Sequence, residues 1–202
     1  MAYCTWGLDE SSLHYHDEEW GVPIHDDNLQ FEYLLLAVMQ CGLNWKMVLK
    51  KYEILSECFA NFDFERIASF DEFDVERILN TTGMIRSRRK IEAIINNARA
   101  FIQIREKYGS FSKWLWSFSD GKSISYIGHE KGLIPMSNGL SERITKAMKK
   151  EGFKFVGSIM IYSHLQGCGI INDHGDDCHR YHELMSQYPS VRLPCEHEKF
   201  SR

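Results

Sequence analysis

Residues 79–108, LNTTGMIRSRRKIEAIINNARAFIQIREKY, set the fold class. Ile91, Ile94, Ile95, Ala98, Phe101 and Ile102 recur at helical spacing, so residues 87–108 read as one long amphipathic helix. Gly83 separates it from a shorter helix that starts near Asp71 and carries Phe73, Val75, Ile78 and Leu79. Arg86, Arg88, Arg89 and Lys90 crowd the start of the long helix, where the helix dipole disfavours cations unless an anion compensates them. Helix, glycine turn and basic helix start therefore follow one another within thirty residues.

The same periodicity extends outward. Leu29, Phe31, Leu34, Leu35 and Val38 follow the helix-start pair Asp26-Asp27, a further run covers residues 44–59, and shorter helices fit residues 112–118, 141–151 and 156–166. No sustained alternation of apolar and polar residues demands a sheet, so the expected class is all-α. Gly, Ser and single prolines mark residues 119–141 as the longest irregular connection. The stretch after Tyr188, with Pro189, Pro194 and mixed charges, reads as frayed. The expected organisation is one compact unit over residues 1–188, two helical lobes being compatible with it, and a flexible tail over 189–202.

A chain of 202 residues with 44% hydrophobic and 26% charged residues has the composition of a folded globular protein and excludes disorder as its main state. No stretch approaches the roughly 18 uninterrupted apolar residues that cross a bilayer, and MAYCTWGLDE has neither the basic start nor the apolar core of a signal peptide. A cytoplasmic protein without membrane association is expected, and its six cysteines read as reduced thiols or metal ligands. The net charge of −4 is unevenly spread: residues 1–40 hold eight acids and no Lys or Arg, whereas residues 86–154 hold 15 Lys and Arg against 6 acids, a net of +9. The middle of the chain could therefore hold a polyanion. On charge alone, a solvated Lys-rich surface is the simpler account.

Cys4 and His16 stand near one end, and His174 and Cys178 near the other. Thiolate and imidazole suit zinc, and His-x3-Cys on one helix turn would let both side chains reach one ion. A Cys2His2 set of this kind would staple the two ends of the chain. Nine histidines and six cysteines also give many accidental pairs, so spacing alone leaves scattered, unliganded residues as the simpler account. Cys41, Cys58, Cys168 and Cys195 lack such partners and read as small apolar residues or, for the last, a tail thiol.

Several segments together resemble one family. They are Cys4-Thr-Trp6, Tyr15-His-Asp-Glu-Glu-Trp20-Gly-Val-Pro23, Gln40-Cys-Gly-Leu-Asn-Trp45, Gly83-Met-Ile-Arg86 with Lys90-Ile, Asn97-Ala-Arg99, Leu115-Trp-Ser-Phe118, residues 149–157 (KKEGFKFVG) and Asn172-Asp-His174 with Cys178. In this order and over this span, the chain is similar to the 3-methyladenine-DNA glycosylase I family. The resemblance implies a helix-hairpin-helix DNA glycosylase fold and one structural zinc held by Cys4, His16, His174 and Cys178. It further implies an aromatic base pocket of Trp6, Tyr15, Trp20 and Trp45, with Gln40 and Asn44 as polar neighbours. It places a probing tip at Gly42 and Leu43 and DNA-backbone contacts at Gly83, Arg86, Arg88 and Lys90. Double-stranded DNA with an alkylated base is the implied partner, free 3-methyladenine the implied product, and a monomer the expected form.

The chemistry fits those residues. A glycosylase extrudes a nucleotide, holds the base between flat side chains and lets water replace it at the sugar. An aromatic face favours a cationic alkylated purine, as does the acidic composition of residues 1–40. One position departs from the family pattern: Ala37 stands where the family has its base-recognising glutamate, so no catalytic carboxylate is assigned. Asn44 replaces a serine, and Val38 and Met39 suggest a more apolar pocket floor. Glu32 and Asp173 are candidate substitutes, although helix-start or surface roles suit both. Three outcomes stay open: a 3-methyladenine glycosylase relying on shape and stacking, a glycosylase for another lesion, or a non-catalytic zinc-stapled binder of DNA or bases. A metal-binding module for RNA or an acidic protein is the alternative outside enzymology.

Overall fold

The computed structural model describes Cys4 and residues 10–194. These form helices α1 (Glu10–His14), α2 (Asp27–Gln40), α3 (Trp45–Leu49), α4 (Tyr52–Cys58), α5 (Phe64–Ala68), α6 (Glu72–Asn80), α7 (Arg88–Tyr108), α8 (Phe111–Trp116), α9 (Gly139–Lys150), α10 (Ser158–Gly167) and α11 (His179–Gln187), with strands β1 (Ser123–Tyr126) and β2 (Ser190–Leu193). The described chain divides into two compact units. A terminal unit takes Cys4 and residues 10–25, 113–145 and 157–194, and a central unit takes Asp26–Ser112 and Lys146–Val156.

The central unit is built on helices whose starts are written in local chemistry. Asp26 caps α2 by accepting from the Leu29 N–H, Asp63 caps α5, and Asp71 with Asp74 forms a reciprocal capping box on α6. α7 ends at Gly109, whose φ of +83° is the left-handed cap conformation that a side chain disfavours. Phe31 of α2, Phe64 of α5 and Phe101 of α7 meet edge-on or tilted at centroid distances of 5.0–5.7 Å, and Phe111 stacks on Phe101 at 4.2 Å. Edge-to-face and offset contacts of this kind add to the burial of the rings themselves. The run expected over residues 44–59 is two helices, α3 and α4, because the chain turns at Lys50 and Lys51.

In the terminal unit β1 and β2 pair in parallel, Ser123 opposite Ser190, and Ile124 also bridges to Ile171. The all-α expectation is corrected to a mainly helical fold with one two-stranded sheet. Strands of four residues are too short for a period of two to declare itself, and all four residues of β1 are buried. The expected flexible tail is corrected for residues 190–193. Ser123 N–H donates to the Pro189 carbonyl and Ile127 N–H to the Leu193 carbonyl, both at 2.9 Å, while Arg192 pairs with Glu130 at 2.9 Å. Residues 195–202 lie outside the described residues. No described helix is long and apolar enough to cross a membrane.

Candidate functional site

The terminal unit brings Cys4, His16, His174 and Cys178 together, with one potential ligand atom of each within 4.8 Å of the others. Cys4 Sγ lies 3.6 Å from His174 Nδ1, and Cys178 Sγ lies 3.6 Å from both His16 Nε2 and His174 Nδ1. A tetrahedral ion bound at about 2.0–2.3 Å would set nitrogen and sulfur ligands roughly 3.5 Å apart, so the donor set fits such an ion. The nitrogens facing away are also held: His16 Nδ1 pairs with Asp17 Oδ1 at 2.7 Å, and His174 Nε2 donates to the Trp20 carbonyl at 3.1 Å. Outer contacts like these fix ring orientation and tautomer for ligation. Burial holds the His174 pKa down to about 3 and pushes the Cys4 thiol up to about 11, with the Cys178 thiol among the further causes. The cluster thus offers a neutral imidazole, and a cation held there would favour the ionised Cys4 thiol that desolvation opposes.

The local geometry differs from expectation. His174 and Cys178 do not share a helix turn; the chain is irregular at residues 174–175 and turns at residues 176–177, and Cys178 is the N-cap of α11. Gly21, at φ +83°, lets the backbone pass close to the centre, since a Cβ there would meet His174 Nε2 at 3.2 Å and Leu184 at 3.0 Å. Asp173, next to His174, is buried. Its Oδ1 lies 2.8 Å from His129 Nδ1, and its Oδ2 accepts from Tyr162 at 2.5 Å and from Gln166 at 2.9 Å. Those bonds commit Asp173 to the interior and remove it as a substitute carboxylate.

The residues expected to hold a base are distributed over both units. Trp6 lies outside the described residues. Tyr15 opens a π-helical segment, Tyr15–Glu19, and burial raises its phenol pKa. Trp20, which ends that segment, packs edge-on against His174 at 4.4 Å, so its ring supports the Cys/His centre. In the central unit Gln40 is half-buried at the end of α2, and Trp45 is half-buried at the start of α3. Asn44 serves as the N-cap of α3, its Oδ1 accepting from Met47 N–H at 2.8 Å, which is the job a serine would do there. Val38 and Met39 are fully buried core residues and form no pocket floor; Ala37 is 5% exposed. Glu32 accepts from the Tyr52 hydroxyl at 2.7 Å.

The basic residues sort themselves by partner. Arg88 pairs with Glu72, Glu76 and Glu92, so its charge is met by carboxylates. Lys90 is buried, with Nζ on the carbonyls of Met39 and Cys41, which corrects its expected place among the DNA contacts. Gly83, at φ +84°, occupies its turn and accepts from Lys51 Nζ. Arg86 and Arg89 remain exposed. Arg89 meets Lys154 at a cleft of about 280 Å³ that Glu92, Ala93 and Phe155 complete. Among the described residues neither cation has an ion-pair partner.

Lys154 belongs to a turn that the charge pattern alone did not reveal. α9 ends at Lys150, Gly152 and Phe155 take φ of +89° and +59°, and Gly157 caps α10 without a side-chain bond. Two glycines between two helices, in residues 151–157 (EGFKFVG), are the signal that could have found it; the turn at Gly83 has one. Asn97, 2% exposed, holds this turn by donating to the Lys154 carbonyl at 3.0 Å and accepting from the Lys154 N–H at 2.8 Å, and Asn96 donates to the Gly152 carbonyl at 2.9 Å.

Comparison with known proteins covers the same span. The family model described as methyladenine glycosylase matches residues 5–181. The chain is 42% identical over 179 residues to DNA-3-methyladenine glycosylase 1 of Escherichia coli strain K12, covering 88% of this chain and 96% of that protein. A crystal structure of 3-methyladenine DNA glycosylase I is similar with a TM-score of 0.83 at 45% identity, covering 88% of this chain and 98% of the other. A mutant of 3-methyladenine DNA glycosylase I in complex with 3-methyladenine is similar with a TM-score of 0.83 at 34% identity, covering 89% and 97%.

Proposed function

The chain belongs to the methyladenine glycosylase family, and from that premise we propose that it is a base-excision repair glycosylase, acting as a monomer on double-stranded DNA and releasing 3-methyladenine or a related alkylated purine. The observation that carries this reading is the family match over residues 5–181, a span that includes the aromatic residues and the Gly42-Leu43 turn to which the resemblance assigns base handling. Stacking of the extruded base is assigned to Tyr15 and Trp45, with Gln40 as a polar neighbour. Leu43 enters the gap that the nucleotide leaves, as apolar wedges do in other distorted duplexes.

In the reaction the C1′–N9 bond breaks with its electron pair passing to the purine, which discharges the positive charge on the alkylated ring. Water adds to C1′ and loses a proton. A cationic base is already a good leaving group, so electron-rich rings that bind the cation and exclude bulk water can suffice without a strong general acid. Ala37 cannot accept a hydrogen bond from the base. That single position favours, as a second reading, a lesion range different from that of relatives with a glutamate there.

For the metal we propose zinc, with Cys4, His16, His174 and Cys178 as its ligands. Bound there, it supplies structural cross-linking and no reaction chemistry. For the DNA strand we propose contacts from Arg86, Arg89 and Lys154 together with the residue 151–157 turn, whose backbone and helix start can bind phosphate. The test is to incubate wild-type protein with methylated duplex DNA and measure released bases chromatographically. Release of 3-methyladenine is expected. No release, alongside a retained preference for a duplex containing an abasic-site analogue, would replace the enzyme with a non-catalytic binder.

A further inference from the structure

Lys90 is the third residue of α7, within a stretch whose other cations face solvent or carboxylates, yet it is only 7% exposed. Its Nζ donates to the Met39 carbonyl at 2.7 Å and to the Cys41 carbonyl at 2.6 Å. These carbonyls flank Gln40, where α2 gives way to the tip that ends at Leu43. Leu43 N–H donates to the Gln40 carbonyl at 2.6 Å and closes a four-residue turn. Cys41 at φ −47°, ψ 117° and Gly42 at φ +77° have the central conformations of a type II turn, in which the third residue must tolerate a positive φ.

That turn explains the position of the ammonium. In a continuing helix the Met39 carbonyl would accept from the Leu43 N–H, but here that donor has gone to Gln40. A type II turn also directs its middle carbonyl, that of Cys41, away from the closing bond. Two backbone acceptors at the negative end of α2 are therefore left for one cation, which Lys90 supplies from α7. Burial pushes the Lys90 pKa below the ordinary lysine value, opposed by the neighbouring Cys41 thiol. A buried ammonium without a carboxylate partner is expensive, and an apolar side chain would pack more simply if the tip did not have to be held.

We propose that Lys90 is a positioning residue for base extrusion, its ammonium locking the Gln40–Leu43 turn in the form that presents Leu43 to the gap in the duplex. This rests on the glycosylase reading above. It replaces the direct phosphate contact that the basic stretch suggests, since both of its partners are backbone carbonyls of its own chain.

The experiment compares wild type, Lys90→Met, Lys90→Arg and Gly42→Ala for affinity to intact duplex and to the same duplex carrying an abasic-site analogue, across salt concentrations. Thermal unfolding and the kcat and KM of base release are measured alongside. Losing the two bonds in Lys90→Met should cut the preference for the abasic duplex by about tenfold. Intact-duplex affinity and its salt slope should stay unchanged, with the loss of activity in kcat and not in KM. Lys90→Arg should restore part of the preference, because a guanidinium can also reach two carbonyls. Gly42→Ala disturbs the same turn without touching the buried lysine, so it should lose preference similarly even if Lys90→Met folds poorly. Equal weakening on both duplexes with a shallower salt slope would overturn the proposal in favour of a phosphate contact. So would a lowered melting temperature with preference intact, or an unaffected Gly42→Ala. If wild type itself shows no preference, the base-extrusion reading fails and takes the proposal with it; if wild type prefers the abasic duplex and Lys90→Met does so equally, only the proposal fails.

Discussion

Ala37 is the residue at which this chain departs most consequentially from its family pattern. It lies on α2 with 5% exposure, between core residues Leu36 and Val38. A carboxylate there could accept a hydrogen bond from a cationic base, and charge-assisted hydrogen bonds are worth about 1.5–3 kcal/mol. Ala37→Glu should therefore raise the single-turnover rate of 3-methyladenine release by roughly ten- to a hundredfold. The larger side chain must also find room, so the melting temperature should fall slightly. An unchanged rate would remove position 37 from base recognition. Other residues show how far residue type alone can be read. Asn44 and Lys90 have the chemistry of ligand contacts, yet their partners are a helix N-terminus and two carbonyls. Nothing in a side chain's identity says whether its hydrogen-bonding capacity is already used by the fold.

Among the elements, the turn over residues 151–157 depends on a side chain from α7. Asn97 bonds both the carbonyl and the N–H of Lys154, and truncating it would leave two backbone groups short of partners. At about 1–3 kcal/mol for each buried group left unsatisfied, Asn97→Ala should lower the melting temperature by several degrees. It should also speed amide exchange at Lys154 and weaken DNA binding. Because no cation is removed, the salt slope of binding should stay as it is; a shallower slope would mean that the turn acts through charge. Helix starts at Asp26 and Asp71 and the long helix α7 were legible because capping and periodicity are encoded within a few residues. The pairing of β1 with β2 was not, because Ser123 and Ser190 are distant in sequence and four-residue strands carry almost no pattern of their own. The break between α3 and α4 likewise lies inside a stretch whose apolar residues continue with helical spacing.

For the whole molecule, the four Cys and His residues couple segments that are 170 residues apart, as in the Cys4–His174 contact. Closing a loop of that size is worth about 5 kcal/mol in the chain-entropy picture. At about 2–4 °C per kcal/mol for a domain of this size, removing the metal by chelation or by Cys178→Ser should lower the melting temperature by roughly 10–20 °C. Metal analysis of the native protein should give about one zinc per chain. Acid should act in the same direction on the metal-free protein. The folded pKa of His174, about 3, lies below its ordinary 6.5, so the unfolded chain binds the extra proton first. Stability should therefore fall as pH drops from 6.5 towards 3, and His174→Ala should flatten that fall in an acid-unfolding series.

The amino-acid sequence by itself determined the helical character, the helix starts at Asp26 and Asp71 and the resemblance to the family, and through that resemblance it pointed to the four Cys and His residues that the structure brings together. Each of these is carried by short-range periodicity or by residue identity at fixed spacing. Only the tertiary structure decided that Lys90 turns inward to α2 while Arg89 turns outward to meet Lys154, although the two residues are adjacent in the chain. It also decided that Asp173 is held by His129, Tyr162 and Gln166. The physical reason is the same in each case: a charged or polar side chain takes the partner that packing brings within about 3 Å, and distant segments supply that partner.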